Sequence, residues 1–327
     1  MAGLESGRPV VGVDLGGTKI LAAVVGDGRT ILGRAKRGTP AKEGGAAIVE
    51  TITEAVREAV SAAGISTDGV AGIGVGSPGP LDVEAGVILF SANLNVRDFP
   101  LGPELSKRLG RPVLLQNDVR VGGYGEFRLG AGRGHRSLLA AFVGTGIGGC
   151  LVCDGKVVAG STGNAGEIGH IVVKAGGSRC GCGRRGCMEA YASRTAIARR
   201  LAKSVRRGLP TVLAGKLDKK SGRLKSGDLA AAVEAQDPIA LKEVHRAAHY
   251  LGVGLGGLVN VFGPEIVVIG GGVTEALGTY YVDLVKKSLR KTVLVDPNRT
   301  ILVEPASLGD DAGVLGAALL AAEQFGP

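Results

Sequence analysis

Tryptophan is absent from this 327-residue sequence, and aromatic residues make up only 3% of it. Large rings therefore cannot carry the core, which must be built from Ala, Val, Leu and Ile. No apolar run approaches the ~18 residues of a membrane span. Met1–Arg8 lacks the apolar centre of a secretory signal. Cysteine is scarce as well, with five residues, three of them between positions 180 and 187. That crowding favours metal binding in a reducing compartment over a disulfide framework. The expected location is cytoplasmic, with no membrane partner. The phosphate-loop pattern GxxxxGKS/T is missing too, which excludes that class of nucleotide site.

What the chain has in plenty is glycine, 57 residues in clusters without a collagen period. Clustered glycine implies tight turns and close approaches between backbone and ligand. The length suffices for two domains of ordinary size. The formal net charge is +9, and residues 199–228 account for most of it, with ten basic residues against two acids, Asp218 and Asp228. The run has no interleaved aromatics, which argues against single-stranded nucleic acid. It reads as a solvated surface excursion, and nucleic acid is not an expected partner. Binding of polyphosphate by this run stays open.

The densest stretch is Gly160–Glu189, GSTGNAGEIGHIVVKAGGSRCGCGRRGCME. His170, Cys180, Cys182 and Cys187 are the ligand set of a closed structural Zn²⁺ site, and short cysteine spacings let one loop supply several ligands. Reduced free thiols in a glycine-rich loop are the alternative. The same stretch reads as a sugar site. Glu167 lies three residues before His170, and Glu189 two after the last cysteine, and all three side chains can accept hydrogen bonds from hydroxyls. A ligating His170 keeps a second ring nitrogen for such a contact. The alternative for both glutamates is an ordinary exposed acid.

Two glycine-turn hairpins frame the rest. Pro9–Val13 and Ile20–Val25 read as strands around Asp14-Leu-Gly16-Gly17-Thr18-Lys19. The turn offers bare amides, a hydroxyl and an ammonium to phosphate. Asp14 can hold Mg²⁺ through water. Leu138–Val143 leads into Gly144-Thr145-Gly146, and Leu151-Val152 with Lys156–Val158 reads as the returning strand. The GxGxxG match at Gly144 is therefore no dinucleotide fingerprint, which needs a helix next. Gly252–Gly257 matches too, but lies in a helical stretch. Cys150 and Cys153 read as buried, inert thiols. Val113–Leu115 is a strand ending in Gln116-Asn117-Asp118, and an acid at such an end can accept a hydroxyl proton in phosphoryl transfer or simply cap a helix. Further on, Gly44–Ala63, Arg194–Lys203, Pro238–Val261 and Gly313–Ala322 have helical character, and Glu265–Ile269 is a strand ending in Gly270-Gly271-Gly272.

GEIGH followed by CxCGxxGCxE resembles the ROK family of sugar kinases and sugar-responsive repressors, and the likeness runs from Asp14 to Ala318. DxGGTK and the Gly144 turn match the two phosphate motifs of the actin-like, hexokinase-type kinases. The resemblance implies an α/β, two-domain actin-like ATPase (ribonuclease H-like) fold with an interdomain cleft. The expected division is residues 1–118 with 313–327 as the small domain and 119–312 as the large one, the latter carrying the zinc loop (170–187). It implies ATP-dependent phosphorylation of a hexose at its 6-hydroxyl, with Asp118 as general base and domain closure excluding water. Sugar contacts fall to Asn93, Asn117, Asp118, Glu167, His170 and Glu189, near the Ser77-Pro-Gly-Pro80 turn. Phosphate and Mg²⁺ fall to Asp14, Gly16, Gly17, Thr18, Lys19, Gly144, Thr145 and Gly146, and adenosine to Gly270, Gly271 and Gly272. The GEIGH and ME placements resemble bacterial glucokinases, so glucose is the first expectation, with fructose, mannose or an N-acetylhexosamine as alternatives. A dimer or tetramer is expected. The chain departs from the family at Val96 and at Arg120, which follows the catalytic Asn-Asp. A sugar-sensing regulator is the other class of reading. About eight residues precede the first strand, so a DNA-binding domain is not expected. A zinc-stabilised scaffold would leave the nucleotide motifs without a role.

Overall fold

In this computed structural model, residues 7–27, 29–217, 224–294 and 301–326 are described. Of the basic run, Asp218, Lys219, Lys220 and Arg223 lie outside the described residues, as does most of Met1–Arg8. The chain divides into two units, Met1–Gly134 with Val157–Ala165 and Asp310–Pro327, and His135–Lys156 with Gly166–Gly309.

The first unit opens on β1 (Val10–Leu15), β2 (Lys19–Gly26) and β3 (Thr30–Gly38), then α1 (Gly45–Ala62) and β4 (Ile73–Ser77). A small antiparallel sheet follows, β5 (Leu81–Asp82), β6 (Val87–Ser91) and β7 (Val96–Phe99). Then come α2 (Leu101–Leu109), β8 (Val113–Asn117) and α3 (Asp118–Arg128). In the second unit β9 (Leu138–Val143), β10 (Ile147–Cys153) and β11 (Lys156–Val157) precede α4 (Glu189–Ala192), α5 (Arg194–Arg206), α6 (Ser226–Glu234) and α7 (Pro238–Phe262). The unit closes with β12 (Ile266–Gly270), α8 (Gly272–Thr292) and β13 (Leu302–Pro305), and α9 (Ala312–Phe325) belongs to the first unit.

Each unit holds a five-stranded sheet of the same order, β3-β2-β1-β4-β8 in the first and β11-β10-β9-β12-β13 in the second. In both, a glycine-turn hairpin is antiparallel and the two strands beyond it run parallel to the hairpin's first strand. The repeated hairpin motif in the sequence is thus a repeated sheet. The helical spacing of Ile48, Ile52, Val56 and Val60 turns one face of α1 to the core, where all four are buried. Asp237 accepts from the amides of Ile239 and Ala240, Pro238 fills the first helical position, and Gly263 ends α7 in the left-handed region. Gly252–Gly257 lies inside that helix.

Helix α9 sits directly on the first sheet because glycine lines its path. A Cβ at Gly12 or Gly74 would collide with the carbonyls of Val314 or Ala317, and one at Gly316 with that of Val121 in α3. This contact draws α3 into the first unit, which therefore extends past residue 118 to Gly134, with the 157–165 segment added. Helix α3 carries Gly122, Gly123 and Gly125, which give it poor helix propensity. Tertiary packing supplies what propensity lacks: a Cβ at Gly125 would lie 2.5 Å from the carbonyl oxygen of Ala312.

Candidate active site

The carboxyl ends of the parallel strands β1, β4 and β8 lie side by side, with Asp14 in register with Gly76 and Gly76 with Gln116. In open α/β sheets that edge is where ligands are held. Asn117 ends β8 and caps α3, its Oδ1 accepting from the amides of Val119 at 3.1 Å and Arg120 at 3.2 Å. Asp118 is therefore the first helical residue, and its Oδ1 accepts from the Val119 amide at 2.9 Å. Asn117 combines both readings of the motif: it is an N-cap, and it still carries an Nδ2 donor.

Asp14 lies under the start of α9, where a Cβ at Gly313 would come within 2.9 Å of its Cγ. Burial pushes its pKa up from 3.8 to about 6, the charge of Asp118 adds to the rise, Lys19 opposes it and Asp310 adds again. The two carboxylates thus act on one another at the sheet edge. The neighbouring turn is closed by the Gly16 amide donating to the Lys19 carbonyl at 2.9 Å and by the Thr39 hydroxyl donating to the Gly16 carbonyl at 2.7 Å. Lys19 extends its Nζ to Asp310 Oδ1 at 2.7 Å, a surface pair across a distance in sequence that local reading does not reach. Asn93 is exposed and its Cβ lies 3.3 Å from the Cβ position of Gly17, so it borders the phosphate turn.

In the second unit the matching turn is closed by the Gly144 amide donating to the Gly146 carbonyl at 2.9 Å. Arg194, the first residue of α5, braces it. Its amide donates to the Gly144 carbonyl at 2.9 Å, and its guanidinium to Thr145 Oγ1 at 3.0 Å and Ser226 Oγ at 3.2 Å. Gly270–Gly272 joins the same cluster: a Cβ at Gly272 would stand 3.4 Å from Ser226 Oγ. Gly271 has φ 84°, and a Cβ there would fall 2.7 Å from the Val143 amide nitrogen, so only glycine suits this turn. Arg194 and Ser226 were not expected at the site; no short motif marks them.

His170, Cys180, Cys182 and Cys187 come together with their ligand atoms within 4.8 Å of one another. Cys182 and Cys187 sulfurs are 3.8 Å apart, as are Cys180 Sγ and His170 Nδ1. A tetrahedron with Zn–S bonds of ~2.3 Å has edges of about 3.8 Å, so the donor set and its spacing both suit zinc. His170 Nε2 points the other way and lies 3.9 Å from Glu167 Oε2, whose side chain is 62% exposed. Glu189, expected at the sugar, also has partners within the protein. Its Oε2 accepts from the Ile147 amide at 3.0 Å and its Oε1 lies 3.4 Å from Cys180 Sγ, so it ties the cysteine loop to the second phosphate turn.

The knuckle is held from behind by residues assigned to the basic excursion. Arg199 donates to the carbonyls of Arg179 at 3.4 Å and Ala190 at 3.3 Å. Arg200 donates to Ser178 Oγ at 3.3 Å and stacks over Tyr191, whose hydroxyl accepts from the Ser178 amide at 2.6 Å. Arg199, exposed, and Arg200, half-buried, thus brace the knuckle from α5. Cys150 is buried, as expected of an inert thiol, and Cys153 is half-buried.

The ROK family model matches residues 10–324. The chain belongs to the ROK family. It is 38% identical to a glucokinase of Halalkalibacterium halodurans, over 98% of this chain and 96% of that protein. A crystal structure of a ROK hexokinase from Thermus thermophilus superposes with a TM-score of 0.82 at 38% identity, covering 97% of this chain and 98% of that one. A ROK family glucokinase from Streptomyces griseus, solved in complex with glucose and AMPPNP, gives a TM-score of 0.81 at 35% identity, covering 96% and 99%. The fold is the actin-like ATPase fold of these kinases. Among the described residues no helix is long and apolar enough to cross a membrane.

The raised pKa of Asp14 gives a pH-dependent stability. Its protonated form is the favoured folded state, so the stabilisation is complete below pH 3.8 and is lost as pH rises through about 6. Asp14→Asn should therefore be more stable than wild type in magnesium-free buffer, by an amount growing from pH 4 to pH 7 toward about 3 kcal/mol. Urea titrations across that range check it; a difference that stays flat with pH would contradict the assignment.

Proposed function

We propose that the protein is an ATP-dependent hexose kinase whose first substrate is glucose, converted to glucose 6-phosphate. The carrying observation is Asp118 at the first position of α3, beside Asp14 at the carboxyl edge of the first sheet. Support comes from the glucokinase relatives, similar over nearly the whole chain, and from the glucose and AMPPNP bound to the Streptomyces griseus relative.

In this reading Asp118 takes the proton of the sugar 6-hydroxyl as the O6–P bond forms and the bond to the β–γ bridging oxygen breaks, releasing ADP. The Val119 amide fixes the carboxylate's rotation. Asn93, Asn117, Glu167, His170 and the remaining capacity of Glu189 hold sugar hydroxyls. The turns at Gly16–Lys19 and Gly144–Gly146 hold phosphate with backbone amides, Arg194 and Thr145 brace the second of them, and the Gly270–Gly272 turn gives the adenosine room. Asp14 would hold Mg²⁺, which supplies charge neutralisation on the transferred phosphoryl group. The four-residue knuckle would hold zinc as a structural ion, fixing His170 and Glu189 relative to each other.

A coupled ADP-release assay with ATP, Mg²⁺ and a panel of glucose, mannose, fructose, N-acetylglucosamine and N-acetylmannosamine tests the activity. Glucose should lead, with kcat/KM of roughly 10⁴ M⁻¹s⁻¹ or more; silence on every sugar would overturn the kinase reading, and a lead by another sugar the choice of glucose. Elemental analysis of the purified protein should find about one zinc per chain. Cys187→Ser should lose the metal and melt well below wild type, whereas a metal-free wild type of unchanged melting temperature would remove zinc from the account.

A further inference from the structure

Arg120 stands two residues beyond Asp118, and it is only 3% exposed. Its guanidinium donates to Gln116 Oε1 at 2.7 Å, to the Gly163 carbonyl at 2.7 Å and to the Ala165 carbonyl at 2.7 Å. Gln116 Oε1 also accepts from the Asn117 amide at 2.9 Å. The arginine thus joins the end of β8 to the last residues before Gly166-Glu167. The same segment is tied on a second side. Asn164 Oδ1 accepts from the Leu81 amide at 3.3 Å, directly after the Ser77–Pro80 turn, and its Nδ2 donates to the Leu81 carbonyl at 3.4 Å and to the Thr162 carbonyl at 2.7 Å.

We propose that Arg120 is a positioning residue for sugar recognition, fixing the 163–165 segment to the junction that carries Asn117 and Asp118. The proposal rests on the hexose kinase reading for its substrate. A planar fork can serve two carbonyls two residues apart and a side-chain amide oxygen at once. An ammonium is a point donor without that fork and cannot hold all three acceptors in the same geometry. None of these bonds reaches the turns at Gly16–Lys19 or Gly144–Gly146, so loosening the clamp should spare the nucleotide. The buried arginine beside the proposed general base is then a device that sets sugar affinity.

The test compares wild type with Arg120→Lys for melting temperature, kcat, KM for glucose, KM for ATP and hydrogen exchange over residues 159–166. Expected are a melting temperature within a few degrees, a KM for glucose raised about tenfold or more, a KM for ATP within about twofold, and exchange over 159–166 faster by about tenfold with α1 and α7 unchanged. An unchanged KM for glucose, or a parallel rise for glucose and ATP, overturns the proposal. If wild type does not turn over glucose, the substrate reading fails by itself, and exchange still decides: equal exchange in both proteins overturns the clamp. If Arg120→Lys does not fold, Asn164→Ala loosens the same segment from its other side and should give the same split; a variant with wild-type KM for glucose overturns the proposal equally.

Discussion

The side chain of Asn117 decides where α3 begins. By accepting the amides of Val119 and Arg120 it stops β8 and starts the helix within a single residue. Everything around the proposed chemistry inherits that choice. Asp118 is placed at the first turn, where exposed amides favour a carboxylate. Arg120 is turned inward to the 163–165 carbonyls. The glycine-poor start and glycine-rich remainder of α3 let its far end lie against α9 at Gly125 and Gly316. A helix starting one residue later would rotate each of these side chains by about 100° and dissolve the arrangement.

A second constraint works in parallel through close approach. Gly12 and Gly74 let α9 settle on the first sheet, and Gly313 at its start presses on Asp14. That pressure strips water from the carboxylate and raises its pKa, a cost the fold carries at the point where a cation and phosphates are proposed to bind. Strained or desolvated groups of this kind cluster at functional sites because the surrounding packing can bear them. The second unit solves a different problem. Its cysteine knuckle packs Cys180 and Cys187 against Ala190 and Tyr191; Arg199, Arg200 and Tyr191 grip it from α4 and α5, and Glu189 links it to the Gly146–Ile147 turn.

What could be read from the sequence was local. The two glycine hairpins, the spacing of α1, the cap at Asp237 and the His-Cys set each lie within a short stretch, and physical rules at that range are strong. What could not be read depends on partners far away in the chain. Lys19 meets Asp310, Arg120 meets Gly163 and Ala165, Arg194 meets Thr145, and no periodicity announces any of them. Helix α2 and the three short strands β5–β7 escaped for lack of pattern. The brace that Arg199 and Arg200 make within the 199–228 run is out of reach for the same reason: net charge reports composition, while these two donate to carbonyls and a hydroxyl and Arg200 stands over an aromatic face.

The central claim is that the Asp118 carboxylate removes the sugar's proton. The most direct measurement is the turnover number of Asp118→Asn on the preferred sugar at saturating ATP, with the melting temperature as a control for the fold. The account predicts a fall of about a hundredfold to ten-thousandfold with melting within a few degrees of wild type. Turnover within about fivefold of wild type in a folded variant would contradict it.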